Sequence, residues 1–355
     1  MVNIKNNIAI VIPYLKSGGG NKVMIDLANG LSINNKVFIY TFSKEEKNFK
    51  LKNNIKVIYL RKKKNILDFC ISLLKVYFFL HFHCKSKFII SDPILSLITI
   101  FCFRKKNIYR FIQANDMIIY DDKFVLKYKF LITIYKYLTK VSYNIKIKYI
   151  FNSNYVYNTF LNYTSENKKC KKIIINPYPD YEFNSNFKIN KKIDEKKLVI
   201  STIARLHPWK GYALFERLIR TNINNPRIKK VKIITPDKIH FVHKKVEIIR
   251  PKKIIEISNN LLETDIFIST SWWEGYGLPQ LEALKSGCIG LFSDSKGINE
   301  FSKNFQNVLL FKPKNFLDLN QKFLFSIYNI SYLKTFTIKN NLYTSKVTKK
   351  KFLKK

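Results

Sequence analysis

Six short apolar runs in the first half of this 355-residue chain, and six more in the second, alternate with stretches of helical spacing; no other feature narrows the possible folds so far. Candidate strands in the first half cover 8–14, 36–42, 55–60, 87–91, 107–113 and 148–152, separated by helical stretches such as 66–80 and 122–145. In the second half they fall near 197–203, 231–235, 246–249, 265–269, 288–292 and 307–310. Alternation of this kind predicts mainly parallel sheets covered by helices on both faces. A polar, proline-containing segment from Asn176 to Asp194 interrupts the pattern and reads as a linker. The expected organisation is therefore an N-terminal α/β domain over 1–180, a linker over 181–196, a second α/β domain over 197–330 and a basic tail over 331–355. With 46% apolar residues the chain can fill two cores. Residues 315–330 carry the last helical pattern, and no repeat of solenoid spacing appears.

The richest segment runs from Ser271 to Glu282, Ser-Trp-Trp-Glu-Gly-Tyr-Gly-Leu-Pro-Gln-Leu-Glu. It follows the strand-like run from Asp265. Gly275 and Gly277 permit a tight backbone, and Pro279 suits the start of a helix. A strand, a glycine loop and a helix in that order leave free N–H groups at a positive helix end, which seats a phosphate. Glu282, about one turn into the helix, can accept hydrogen bonds from a vicinal diol such as ribose, and Glu274 faces whatever the phosphate carries. A nucleotide joined to a polyol satisfies both ends. The plainer reading is an ordinary βα turn with a proline-started helix, since acidic residues near a helix start are stabilised by its dipole.

The spacing and wording of 271–282 resemble the Glu-x7-Glu signature of retaining glycosyltransferases, the group 1 set also called glycosyltransferase family 4. The resemblance implies a GT-B fold: α/β, two Rossmann-like domains facing across a cleft. It covers about residues 8 to 325, but only 203–211 and 271–287 are specific. In the first of these, Ile203 to Tyr212, Arg205 offers a planar fork and Lys210 a mobile point charge, a sensible pair for a pyrophosphate. Relatives carry a similar Gly-Arg-Leu…Lys-Gly segment whose Arg and Lys bind the donor diphosphate; here Ala204 replaces the usual glycine. The resemblance makes Glu274, Lys210 and Arg205 the catalytic residues. It places the donor against Gly275, Tyr276, Gly277, Leu278 and Glu282 as well.

Two further segments concern the N-terminal domain. The strand-like run from Ile8 leads into Ser17-Gly-Gly-Gly and then into helical spacing over 21–31, a mononucleotide-type start without Gly-x-Gly-x-x-Gly. By resemblance, Gly19 and Gly20 approach the donor or acceptor; otherwise they only punctuate a sharp turn. The run 107–116 ends in Gln113 where many relatives have a histidine that touches the transferred sugar. Gln113 resembles the rhamnosyltransferase-like subset; it donates and accepts hydrogen bonds but is no general base near neutral pH. Asp116 is a candidate for the acceptor hydroxyl, or a cap or turn residue.

The formal net charge of +40 raises nucleic acid as a partner. The 64 basic residues are, however, spread over nearly every segment, as in a lysine- and asparagine-biased proteome, and no zinc-finger, RNP or KH signature accompanies them. No specific nucleic-acid partner is expected. Aromatic and basic residues interleave at 75–88 and 123–149, which suits either helices resting on an anionic membrane surface or helices with one face in a core. Asp68, Lys75, Lys85 and Lys87 break the apolar stretches, so no membrane span is expected, nor is a signal peptide. Five scattered cysteines read as reduced and structural. His81 and His83, two apart, suggest no metal site, and Asp121-Asp122 gives little support for one.

The expected activity is retaining transfer of a sugar from a nucleotide-diphosphate donor to a hydroxyl of a glycan or lipid-linked glycan, in bacterial surface polysaccharide synthesis. No cofactor is expected beyond that donor substrate. The expected location is cytoplasmic, peripheral at the inner face of the membrane. By resemblance, a tail helix crosses back to the N-terminal domain. The alternative is a basic polyanion- or membrane-binding protein that keeps a catalytically lost GT-B fold; an epimerase or inverting transferase is a further enzyme reading.

Overall fold

The computed structural model describes residues 7–13, 15, 18–42, 51–60, 71, 74–78, 87–102, 107–119, 129–165, 172–177 and 193–336. The chain divides into two compact units, Met1–Pro177 and Tyr178–Lys355. The N-terminal sheet contains β1 (Asn7–Val11), β2 (Lys36–Thr41), β3 (Ile55–Tyr59), β4 (Lys87–Ile90), β5 (Ile108–Ile112) and β6 (Lys148–Phe151) in the order β3-β2-β1-β4-β5-β6. The C-terminal sheet contains β7 (Leu198–Ile203), β8 (Ile228–Ile234), β9 (Val246–Ile249), β10 (Ile266–Ser269), β11 (Ile289–Ser293) and β12 (Leu309–Phe311) in the order β12-β11-β10-β7-β8-β9. Every pairing is parallel. Read from its β9 edge, the second sheet repeats the order of the first. Each is a doubly wound α/β sheet, with a switch point between β1 and β4 in one and between β7 and β10 in the other.

All twelve expected strands form, and their ends differ for local reasons. The first stops at Val11 because Pro13 lacks an N–H to continue the ladder, although Ile12 N still donates to Tyr40 O at 2.9 Å. The eighth begins at Ile228, three residues before the expected 231, because the exposed Lys229 and Lys230 conceal its start. The inner strands are buried on both faces, β10 and β11 throughout, as parallel strands under two helical layers must be.

Helices occupy Gly19–Leu31, Lys129–Tyr143, Tyr212–Asn222 and Phe316–Tyr328, where the helical spacing lies. Tyr212–Asn222 buries Phe215, Leu218 and Ile219, positions i, i+3 and i+4, and turns Arg217 and Arg220 outward. Each such fully buried side chain stabilises by roughly 1.5–3 kcal/mol. Residues 330–336 remain helical, and Ile330, Leu333 and Phe336 join the same core as Phe215. This core therefore extends past residue 330, where the basic tail was expected to begin. Of the expected 66–80 helix, residues 71 and 74–78 are helical; the remainder, together with 121–128 including Asp121 and Asp122, His81, His83, most of the linker and 337–355, lies outside the described residues.

In the N-terminal unit, Arg110 of β5 is fully buried. Its Nη2 pairs with Asp116 Oδ2 at 2.7 Å, Nη1 donates to Ser142 Oγ, and the guanidinium lies 4.7 Å from the Tyr143 ring centroid. Asp116 opens the Asp116–Ile119 helix and also accepts from Tyr143 OH at 3.3 Å. Burial pushes its carboxyl up to about 6, Arg110 opposing and Asp92 adding to the rise. Asp116 was expected at the acceptor hydroxyl or as a cap or turn residue; in the structure it is the partner of the buried Arg110 guanidinium, at the start of a helix.

Candidate active site

Two loops leave the C-terminal unit's sheet on either side of its switch point, one after β7 and one after β10. The first passes through Arg205, the short 3-10 turn Pro208–Lys210 and Gly211; the second runs from Thr270 to Gly277. They are laced together. Trp272 N donates to Trp209 O at 2.7 Å, and Thr270 Oγ1 donates to Lys210 O at 3.3 Å. Gly211 adopts φ 66°, and a Cβ there would lie 2.2 Å from Thr270 O. Only glycine meets both demands.

This lacing brings Lys210 to Glu274. Lys210 Nζ donates to Glu274 Oε1 at 2.7 Å, and the carboxylate side chain is 11% exposed against 25% for the lysine. A charge-assisted contact of this length in partial shelter from water orders both groups. Trp209 and Trp273 stack at 5.4 Å between centroids, and His207 stacks on Trp209 at 4.6 Å, forming a ring column beside the ion pair.

A third loop, after β11, braces the glutamate from behind. Glu274 N donates to Ser295 O at 3.0 Å, which pairs the backbone of Glu274 in parallel with that of Lys296. Gly297 N donates to Ser295 O at 2.7 Å, so Ser295, Lys296 and Gly297 form a γ-turn with Lys296 at φ 63°, ψ −58°. That conformation is rare and strained for a residue with a side chain. A Cβ on Gly297 would meet Glu274 O at 2.2 Å and the Gly275 carbonyl carbon at 2.6 Å. The turn thus presses directly on the Glu274–Gly275 peptide. Among the described residues the buried hydroxyl of Ser295 has no hydrogen-bond partner.

Gly277, at φ 88°, caps the Leu278–Lys285 helix without a side-chain hydrogen bond, and the first turn holds no acidic residue. Among the described residues no side chain caps this helix end, and an end of that kind suits an anion. Glu282 lies one turn in and is 7% exposed. Leu278 is buried, and the Tyr276 ring packs edge-on against Phe301 at 5.4 Å. Arg205 is held from the loop that follows β8. Its Nε lies 3.3 Å from Asp237 Oδ2, which also accepts from Leu206 N at 2.7 Å.

In the N-terminal unit, Gly19 and Gly20 form the exposed first turn of the Gly19–Leu31 helix after β1. The position of a Cβ on Gly20 lies 3.5 Å from Gln113 Oε1, so these two expected site residues meet. Asn152 Nδ2 donates to the Gln113 carbonyl and fixes the turn after β5. Among the described residues no group of three or more His, Cys, Asp or Glu is placed to hold a metal ion, and no helix is long and apolar enough to cross a membrane.

The sequence reading missed Asp237 and Gly297. Thr235-Pro-Asp after β8 and Ser-Lys-Gly after β11 are turn signals at carboxyl ends of strands, the edge where open α/β sheets bind ligands, and that position was the available clue.

Residues 183–327 match the family model described as Glycosyl transferases group 1, a span that contains Arg205, Lys210, Glu274 and Glu282. Among curated proteins none matches the sequence. The fold is that of solved GT-B glycosyltransferases. Anabaena HepE in complex with UDP-glucose is 14% identical, with a TM-score of 0.70 over 96% of this chain and 94% of that one. WaaG, a glycosyltransferase involved in lipopolysaccharide biosynthesis, is 12% identical, with a TM-score of 0.72 over 96% and 95%. A point mutant of S. aureus TarM, in complex with fondaparinux, alpha-GlcNAc-glycerol and UDP, is 14% identical, with a TM-score of 0.70 over 97% of each chain.

Proposed function

We propose that this protein is a retaining, metal-independent glycosyltransferase of family 4 that moves a sugar from a nucleotide diphosphate to a hydroxyl of a glycan or lipid-linked glycan. The observation that carries the reading is the Lys210–Glu274 pair at the switch point, in one unit with the uncapped start of the Leu278–Lys285 helix. In the reaction negative charge develops on the departing diphosphate, and groups already oriented toward it lower the barrier most. Lys210, Arg205 and the amides near Gly277 and Leu278 supply positive potential; Glu282 takes the ribose hydroxyls and Glu274 the transferred sugar. Gly19, Gly20 and Gln113 are assigned contacts with the transferred sugar or its acceptor. The match over 183–327 and the nucleotide complexes of HepE and TarM support a nucleotide-sugar donor.

Thermal-shift measurement against UDP-, GDP-, dTDP- and CMP-sugars tests donor use, because a ligand selective for the folded state raises Tm by mass action. One nucleotide class is expected to stabilise the protein, and NMR of the product should show the donor's anomeric configuration kept. No shift with any donor, or an inverted product, rejects the reading.

Synthesis of a bacterial surface polysaccharide, by an enzyme peripheral at the inner face of the membrane, is the setting we propose. On the Lys129–Tyr143 helix, Phe130, Ile134 and Tyr137 stand exposed at i, i+4 and i+7, with Ile100 and Phe101 exposed on the segment Leu97–Phe101 that packs beside it. An apolar stripe on a chain of net charge +40 suits an anionic bilayer, where each nearby basic residue contributes about 1 kcal/mol. Flotation with vesicles containing phosphatidylglycerol should recover the protein, and Phe130→Asp with Tyr137→Asp should abolish recovery; equal recovery of both forms removes the membrane from the account. A basic polyanion-binding protein on an inactive fold is the rival, and steeply salt-dependent polyanion binding without any donor binding would favour it.

A further inference from the structure

A second cationic feature lies in the C-terminal unit, outside the donor-binding loops. An open cavity of about 580 Å³ is lined by Arg217, Pro313, Lys314, Asn315, Phe316 and Leu317. Arg217 projects from the Tyr212–Asn222 helix, its guanidinium 4.0 Å from the Phe316 ring centroid. Lys314 Nζ stands 3.9 Å from the ring centroid of Trp272. Among the described residues neither cation is paired with a carboxylate, although Arg220, one turn beyond Arg217, is paired with Glu216.

The backbone at Lys314 is informative. Asn315 N donates to Lys312 O at 3.1 Å, closing a turn with Pro313 second and Lys314 third. Lys314 has φ 63°, a left-handed position that glycine or asparagine occupies at less cost. A strained residue of the wrong type for its turn is a sign that the side chain is needed. Trp272, which carries the Lys314 cation, lies two residues before Glu274 and is hydrogen-bonded through its N–H to Trp209. The cavity is therefore tied to the same pair of loops that holds the ion pair.

Two cation-bearing residues that line one groove without acidic partners among the described residues make it suited to an anion. The volume greatly exceeds that of an inorganic anion, and the walls at Pro313 and Leu317, the latter 72% exposed, are apolar. We propose that this groove binds a saccharide bearing a negative charge, carboxylate or phosphate, as a specificity site for the glycan on which the transferase acts. The assignment of that glycan as acceptor or product rests on the function proposed above; the binding of a charged saccharide does not.

The test titrates the full chain by calorimetry with a glucuronate-containing disaccharide, a phosphorylated disaccharide, their neutral counterpart and inorganic phosphate. At least one charged disaccharide should bind roughly tenfold or more tighter than the neutral one, the worth of one or two charge-assisted hydrogen bonds. The relative affinity of the two charged probes decides between carboxylate and phosphate. Lys314→Gly, which suits the turn and so protects the fold, and Arg217→Gln should each remove most of that preference, while Lys229→Ala, an exposed lysine elsewhere, should not. UDP binding should be unchanged in Lys314→Gly, so a failed groove and a failed transferase reading give different results. Equal binding of charged and neutral disaccharides, inorganic phosphate binding as tightly as either, or affinity unaffected by both substitutions overturns the proposal.

Discussion

Lys210→Ala is expected to lower kcat by about 10²–10³-fold, the range seen when one preorganised donor to a developing charge is removed. Lys210 Nζ is held 2.7 Å from Glu274 Oε1, at the switch point where the donor's diphosphate is proposed to sit. In the free protein the carboxylate orients the ammonium; as the leaving group gains charge, a mobile point charge on a flexible stem can follow it. The interaction strengthens as the bond breaks, so the loss should appear in kcat more than in KM. Removing the lysine also leaves Glu274 sheltered without this partner. Lys210→Arg, which keeps the charge, should recover part of the rate. Steady-state kinetics of the purified variants decides the matter, and wild-type turnover by Lys210→Ala would exclude a role in the chemistry.

Gly297→Ala should reduce activity by about 10²-fold, as a 1 Å misplacement of a catalytic group can, although Gly297 supplies no side chain to the site. Its Cβ would fall 2.2 Å from Glu274 O and 2.6 Å from the Gly275 carbonyl carbon, distances at which backbone must move. Displacement there carries Glu274 away from Lys210. Gly287 is the control: it has φ 80° with nothing within 4 Å of a Cβ, so Gly287→Ala meets backbone strain alone and should cost about 1 kcal/mol of stability with kcat retained. Melting temperature and kcat measured on both variants separate a displaced site from a weakened fold. Full activity in Gly297→Ala would show that the γ-turn does not position Glu274.

Much of this arrangement was legible because local chemistry and global fold agree. Apolar runs such as Ile266–Ser269 can only be buried parallel strands once helical stretches alternate with them, and Gly-Leu-Pro after such a run marks a helix start. Lys210 and Glu274, 64 residues apart, could be assigned to one site because both follow strands in sheets that bind ligands at that edge. What escaped the sequence was contact. Nothing in Ser-Lys-Gly announces that Gly297 presses on Glu274, since the demand for glycine comes from a backbone more than 20 residues away. Nor does the sequence announce that Asp237, in the loop after another strand, holds Arg205 through its Nε. The role of Asp116 likewise depends on Arg110, whose burial in β5 runs against the usual exposure of arginine.

The most direct trial of the account is a calorimetric titration of the preferred nucleotide-sugar into the wild-type protein and into Glu282→Ala. The account predicts a saturable isotherm for the wild type and an affinity at least about tenfold lower for Glu282→Ala, because a sheltered carboxylate facing the ribose hydroxyls would be gone. Identical isotherms for the two proteins would contradict it, since the donor would then be bound somewhere other than the loops that carry Lys210, Glu274 and Glu282.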